Sequence, residues 1–306
     1  MKQQGNRMAQ SIGMIVGKFY PLHQGHINMI LQARQLVDEL IVFVCSDSER
    51  DLKLFEESAM TRLPTSEERT NWAKQVFATI PGIQVESFIE DGIPAYPNGW
   101  QAWSERLQAT LNALNIKPTI IFSSELQDEA LYRQYFNLPV RLMDPPRAQF
   151  DVSATKIRTE PYRYWHFIPS HIRPFFTKQI VIDTRFSDTL LLQSVIKLFQ
   201  SVDQKNNSQL QFIALDQHQL PQSIHHYHQE MIRINGIIGS PAFIEQALGT
   251  IEQINLNKIQ NSRDLPYYNM MAPSLFEADE TENNALMQFN ELNHFLAQIL
   301  EMPATK

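Results

Sequence analysis

The residues with the most chemistry in this chain are Gly17-Lys-Phe-Tyr-Pro-Leu-His23-Gln-Gly-His26. Two histidines three apart flank Gly25, directly after a short apolar run and at the start of a helical pattern. Such a turn suits phosphate. A helix N-terminus presents unpaired amide donors and a partial positive charge. Gly25 lets the backbone approach an anion, and imidazoles add donors without a fixed charge. Taken alone, H-x-G-H reads more readily as a surface loop that carries two incidental histidines. A second segment, Val152-Ser-Ala-Thr155-Lys-Ile-Arg158, reads as a helix start with two hydroxyls and two cations facing a loop. Alone it is as consistent with an ordinary N-cap and a solvated basic face. The placement of the first motif after a strand, with the second basic motif downstream, favours function over incident.

The elements that position these residues follow from periodicity. Ile12 to Val16 reads as a buried strand. Apolar positions Ile30, Ala33, Leu36/Val37 and Leu40 then recur at helical spacing, and Leu40 to Cys45 is a second buried strand. Strand, glycine loop, helix and strand make a βαβ unit. Thr65-Ser-Glu-Glu68 has the capping-box pattern and opens a helix to about Thr79. Ile83 to Ile89 reads as a strand, Gly99 to Asn115 as a helix, and Thr119 to Phe122 and Val140 to Met143 as two further strands. The alternation predicts an α/β fold, a doubly wound parallel sheet of Rossmann-like type with ligands at the carboxyl ends of its strands. A second, smaller unit starts near Lys178, with a strand at Gln179 to Ile182 and a helix at Leu190 to Gln200. A polar loop is expected at 201–208, and a last helix at about Glu282 to Leu300.

Composition bounds the function classes. Hydrophobic residues are 43% and charged residues 19% of the 306, as in globular proteins. A net charge of −7 with no basic block argues against a large nucleic-acid footprint. The single cysteine, Cys45, excludes an intramolecular disulfide and fits a reducing compartment. No apolar run approaches a membrane span, and the stretch ending at Lys18 is too short for a signal-peptide core, so a cytoplasmic location is expected.

Beyond these readings, G-x-F-x-P-x-H-x-G-H with a later V-S-x-T-x-x-R resembles the HIGH-motif nucleotidyltransferase superfamily. More narrowly, Gly17 to Pro21, Cys45-Ser-Asp, Arg50 to Phe55, Glu90-Asp-Gly-Ile-Pro, Tyr96 to Trp103, Phe122-Ser-Ser-Glu125 and Pro161 to Pro169 resemble NadR-type proteins. These join an NMN adenylyltransferase domain to a ribosylnicotinamide kinase domain. The likeness is dense from about residue 12 to residue 178. It implies a nucleotidyltransferase domain at 1–177, a kinase-derived domain at 178–306, and transfer of AMP from ATP to NMN to give NAD and pyrophosphate.

Carried over onto matching positions, the resemblance places Gly17, Lys18, Phe19, Tyr20, His23 and His26 on the ATP phosphates. Ser153, Thr155 and Arg158 would close over the same phosphates. Arg50, Asn98, Trp100, Trp103, Ser123, Ser124 and Glu125 would surround the dinucleotide. The aromatic faces of Trp100 and Trp103 suit an electron-poor nicotinamide ring, although packing of their own helix is an equal use for them. The implied mechanism is direct attack of the NMN phosphate on the α-phosphorus of ATP, with His23, His26, Lys18 and Arg158 offsetting the growing charge. Magnesium would arrive with ATP, and no dedicated protein metal site is expected. The choice between NMN and nicotinate mononucleotide stays open, as does a non-catalytic NAD or ATP sensor acting on nicotinamide riboside uptake. Homo-oligomers are common in the superfamily, and the assembly state is open.

The second half departs from the family pattern. A phosphate-cradling loop needs G-x-x-x-x-G-K-[ST]. This chain has Ile182-Asp-Thr-Arg-Phe-Ser-Asp-Thr-Leu-Leu191 there, and no glycine between Gly99 and Gly236. Loss of the kinase activity is expected. The run His225-His226-Tyr-His228 reads as a polar segment, with a metal site as the sharper alternative. With the first strand at Ile12, an N-terminal DNA-binding helix-turn-helix is not expected.

Overall fold

The computed structural model describes residues 10–144, 149–202, 209–254, 265–270 and 281–301. Among these the chain divides into two compact units. The first comprises residues 1–52, 64–157 and 167–169, and the second residues 53–63, 158–166 and 170–306.

The first unit runs β1 (Ile12–Gly17), α1 (Gln24–Arg34), β2 (Glu39–Ser46), α2 (Ser48–Glu56), α3 (Ser66–Phe77), β3 (Ile83–Ile89), α4 (Trp100–Ala113), β4 (Ile120–Ser123), α5 (Glu129–Phe136), β5 (Val140–Leu142) and α6 (Ala154–Thr159). The last turns of α2 and α6 belong to the second unit. All five strands are parallel, in the order β3-β2-β1-β4-β5. The winding reverses between β1 and β4, and the crevice at their carboxyl ends is where such sheets bind ligands. β2 is apolar and buried from Leu40 onward, as a parallel strand covered on both faces must be. β3, at the edge, is less covered and buries only Val85 and Phe88, one on each face. The core gathers Met14, Ile41, Phe43, Phe88, Leu107 and Ile121.

Helix α1 is shorter than its apolar spacing suggests. It stops at Arg34, and Leu40 belongs to β2. Val37 and Leu40 are buried as connector and strand, so the four core positions at helical spacing, Ile30, Ala33, Val37 and Leu40, come from a helix, a connector and a strand. The Thr65 capping box is present: Glu68 N–H donates to Thr65 Oγ1 at 3.1 Å and Thr65 N–H to Glu68 Oε2 at 2.9 Å.

The second unit runs β6 (Lys178–Asp183), α7 (Thr184–Ser187), α8 (Leu190–Val202), β7 (Leu210–Leu215), α9 (Leu220–Gln229), β8 (Ile234–Gly239), α10 (Pro241–Gln253), β9 (Tyr267–Asn269) and α11 (Thr281–Glu301). Its four strands are parallel, in the order β7-β6-β8-β9. The elements from β7 to β9 had too little periodicity to be read beforehand, and the expected polar loop at 201–208 lies outside the described residues from 203 on. Ile180, Leu192, Val195, Leu292, Leu296 and Ile299 centre the core. The winding reverses between β6 and β8, whose carboxyl ends carry Asp183 and Ser240. Asp183 is 1% exposed. It accepts from Arg185 through the backbone N–H at 3.1 Å and through Nη2 at 2.6 Å, and from Ser240 Oγ at 3.3 Å. Burial pushes this carboxyl up, but the bonds from Arg185 outweigh it and hold it below the usual aspartate range.

Residues 53–63 pack within this second unit. Arg233, 6% exposed, donates to the carbonyls of Phe55, Ser58 and Met60 at 3.0, 2.6 and 3.0 Å, and its guanidinium lies 4.2 Å from the Phe55 ring centre. Thr61 N–H donates to Phe175 O at 2.7 Å, and Arg233 N–H to Thr61 O at 2.7 Å. A chain ending at Thr177 loses Arg233 and leaves Phe55, Met60 and Phe176, all now 0% exposed, short of cover. It is expected to aggregate or to bind a hydrophobic dye strongly. A soluble, monodisperse truncation in size-exclusion chromatography would contradict this packing.

Candidate active site

The chain leaves β1 at Gly17 and turns through Phe19, at φ 47°, into α1. His23 is the N-cap of that helix: its Nδ1 accepts from Gly25 N–H at 3.1 Å. Histidine is an unusual cap, since Ser, Thr, Asp and Asn lead at this position. The bond assigns the acceptor role to Nδ1, so neutral His23 carries its proton on Nε2. The His26 ring stacks on His23 at 3.7 Å between centroids, tilted by 25°, and meets Phe19 edge-on at 5.1 Å. A Cβ on Gly25 would come to 3.0 Å from the His23 ring. The glycine therefore leaves the imidazole room to cap.

Both histidines face a narrow cleft of about 50 Å³. Ser124, Phe150 and Val152 line it from β4's carboxyl end and from the approach to α6. In that approach Ser153 Oγ accepts from Lys156 N–H at 3.1 Å, and Lys156 Nζ pairs with Asp151. Ser123 Oγ accepts from Glu125 N–H at 3.1 Å, which shapes the turn after β4. Thr155 is exposed on α6. Arg158 belongs to the second unit, where its carbonyl accepts from Ala59 N–H at 2.6 Å.

A larger cavity of about 260 Å³ opens at the ends of β1 and β2. Of the residues anticipated from sequence it brings together Gly17, Lys18, Arg50, Trp100 and Trp103. Trp100 and Trp103 stand edge to face, 5.1 Å apart at 66°, and Tyr132 meets Trp100 at 5.2 Å and 88°. The two indoles also pack against the sheet's core, so lining and packing are not alternatives here. Gly99 caps α4 where the chain folds back on itself, and a Cβ there would lie 2.0 Å from Pro94 O. Asn98 is exposed and lines neither space, and Phe19 and Tyr20 are buried behind them.

The cavity contains carboxylates that motif reading passed over. Glu90, 7% exposed, accepts from Trp103 Nε1–H at 2.7 Å. Asp128 lines the far side, and burial followed by the nearby Glu125 raises its carboxyl above the usual value. Arg50 Nη2 bonds Asp47 at 2.9 Å, and this bond lowers the Asp47 carboxyl below its ordinary value. Burial, then the charge of Glu90, pushes the Cys45 thiol well up, so it lines the cavity as a neutral group. The signal that would have found Glu90 is its place at the carboxyl end of β3, on the ligand-binding edge of the sheet.

Beneath the cavity floor lies Arg69, with its side chain fully buried. It pairs with Asp51 and donates to the carbonyls of Lys18 and Cys45. Its guanidinium is 4.8 Å from the Tyr20 ring centre. Asp51 also takes Lys18 Nζ at 3.4 Å and Asp47 N–H at 3.1 Å. Among the described residues no group of three His, Cys, Asp or Glu side chains is placed to hold a metal ion. His225 Nδ1 lies 2.7 Å from Pro221 O of its own helix. No helix among the described residues is long and apolar enough to cross a membrane.

Comparison with known proteins bears on family and fold. Residues 14–160 match the cytidylyltransferase-like family. The trifunctional NAD biosynthesis/regulator protein NadR of Salmonella typhimurium strain LT2 is 39% identical over 176 residues, which is 58% of this chain and 43% of that protein. The Escherichia coli K12 protein of the same name gives the same values. The chain thus spans less than half the length of these relatives. A crystal structure of a NadR protein in complex with NAD and AMP-PNP is similar in fold, at TM-score 0.63 and 16% identity over 97% of this chain and 98% of that one.

Replacing Trp103 by Phe keeps the ring but leaves the buried Glu90 carboxylate without this donor. The loss of one charged hydrogen bond corresponds to about 1–3 kcal/mol. Urea unfolding is expected to show a destabilisation in that range. An unchanged midpoint would mean that Glu90 is satisfied by solvent and that the cavity wall is looser than described.

Proposed function

We propose that the first half of the chain is a nucleotidyltransferase domain of the NadR type and that it makes NAD by transferring AMP from ATP to NMN. One observation carries this reading. The capped, stacked pair His23–His26 stands at the switch point of a parallel sheet, beside an aromatic cavity lined by Lys18 and Arg50. A phosphate cleft and a pocket for a flat ring at one sheet edge suit a reaction that joins two nucleotides.

An oxygen of the NMN phosphate attacks the α-phosphorus of ATP. The new P–O bond forms as the bond to the bridging oxygen breaks, and pyrophosphate leaves with that electron pair. No side chain acts as nucleophile, because positioning and charge stabilisation account for most of the rate in such transfers. His23 Nε2–H and His26 donate to the α-phosphate, Lys18 balances charge on the phosphates, and Ser153, Thr155 and Arg158 close on the triphosphate. By the resemblance Arg50, Asn98 and the turn of Ser123, Ser124 and Glu125 surround the dinucleotide, with Arg50 lining the ring cavity and Ser124 the histidine cleft. Magnesium would arrive with ATP and would offset charge on the phosphates beside Lys18 and the two histidines, as this ion commonly does without a protein cage.

The cavity supports an amide rather than an acid on the ring. A pyridinium cation in the cavity that Trp100 and Trp103 line meets the Glu90 and Asp128 carboxylates favourably, whereas the carboxylate of a nicotinate would face like charge. The second unit supports no phosphate transfer. At its switch point a buried aspartate occupies the donors of Arg185 and Ser240, and a phosphate brought there would meet that charge.

His26→Ala is expected to lower the rate of NAD formation by about 100-fold, the scale of losing one transition-state donor. Activity near that of the unmodified chain would remove His26 from the mechanism. In the same assay NMN is expected to outpace nicotinate mononucleotide, and Glu90→Gln to narrow that ratio. A preference for the acid would contradict the charge argument. ATP binding without NAD formation would favour the sensor reading.

A further inference from the structure

The mechanism leaves one charge unused. Arg69 is fully buried, and a buried guanidinium is retained only where its donors and its charge are met. Its Nη2 bridges the carbonyls of Lys18 and Cys45, at the carboxyl ends of neighbouring strands, and its Nη1 pairs with Asp51. Asp51 is shared unequally. Arg69 holds it in close contact from below, whereas the Lys18 ammonium, 35% exposed toward the cavity, stands 3.4 Å away. Two cations and one carboxylate leave this group with a net charge of one positive unit. Nearby, Arg50 and Asp47 cancel each other at 2.9 Å. Glu90 lines the same cavity and is bonded to Trp103, so within the Arg69–Asp51–Lys18 group the surplus charge faces the cavity on the lysine.

We infer that Arg69 is a positioning residue for nucleotidyl transfer: by claiming Asp51 from beneath, it keeps the Lys18 ammonium available to the substrate phosphates. The inference rests on the nucleotidyl-transfer reading for the identity of the anion. Without Arg69, Asp51 would turn its full charge on Lys18, and the lysine would be held as one half of a neutral pair.

Four variants of the full chain separate this role from simple packing: R69M, R69K, D51N and the double variant R69M/D51N. ATP is titrated calorimetrically with no acceptor present, and melting temperature is followed in parallel. R69M is expected to weaken ATP binding about 10-fold, the scale of one charged contact. Removing the competing carboxylate should restore it, so R69M/D51N is expected within about 3-fold of the unmodified chain. R69K keeps the charge and should also stay within about 3-fold. D51N alone should bind ATP at least as tightly as the unmodified chain.

A double variant as weak as R69M, both melting cooperatively, would overturn the inference, because only charge balance predicts rescue. ATP affinity unchanged in R69M would overturn it as well. If R69M does not fold, D51N decides: weaker ATP binding in a folded D51N means that Asp51 supports the lysine rather than competing for it, and the inference fails. An unmodified chain that binds ATP but forms no NAD refutes the proposed reaction and leaves Arg69 to be judged on these affinities. A chain that binds no ATP refutes both.

Discussion

Arg69 ties the carboxyl edge of the first sheet into one piece. Parallel strands end in carbonyls that point at the ligand crevice, and those of Lys18 and Cys45 converge on a single guanidinium. The same group holds Asp51 at the start of α2 and underlies Tyr20 in the motif loop. Tyr20 in turn donates from its hydroxyl to Asp51 O at 3.3 Å. Strand ends, motif loop and the first turn of α2 are thereby fixed by one buried ion pair. The histidine turn above is fixed differently, by a ring nitrogen capping its own helix. Both devices place cationic or donor groups at a sheet edge without opening the core.

The sequence made the site's outline legible, because its signals are local. A strand of unbroken apolar residues, a glycine two residues after a histidine, and a Thr-x-x-Glu box are each short-range patterns with a physical cause. Glu90 and Arg69 were not legible in this way. Each acts through a partner 13 or more residues distant: Glu90 with Trp103, and Arg69 with Lys18, Cys45 and Asp51. A charged residue in an amphipathic helix gives no sign that it points inward. Helix α1 was overextended for the converse reason. Val37 and Leu40 fall at helical spacing by coincidence while serving a connector and a strand.

The second unit shows what persists when a phosphate loop is absent. Four parallel strands and their helices bury an ordinary core, and the winding still reverses between β6 and β8. The donors at that reversal, a backbone amide, a guanidinium and a hydroxyl, are those an anion would use. Here the chain supplies the anion itself, as Asp183. The stretch after β6 has no glycine for a cradle, and the Asp183 carboxylate stands there in its place. Within the same unit Arg233 gathers the carbonyls of residues 55–60, so a segment from the first part of the chain folds with the second.

The central claim is that this chain joins NMN to the adenylyl group of ATP and transfers no phosphate to a riboside. It is tested most directly by incubating the purified full chain with ATP and magnesium and either NMN or nicotinamide riboside, and quantifying NAD, pyrophosphate and riboside phosphate. The account predicts NAD and pyrophosphate in equal amounts from NMN and no phosphorylated riboside. Riboside phosphorylation would contradict the reading of the second unit, and absence of NAD would contradict that of the first.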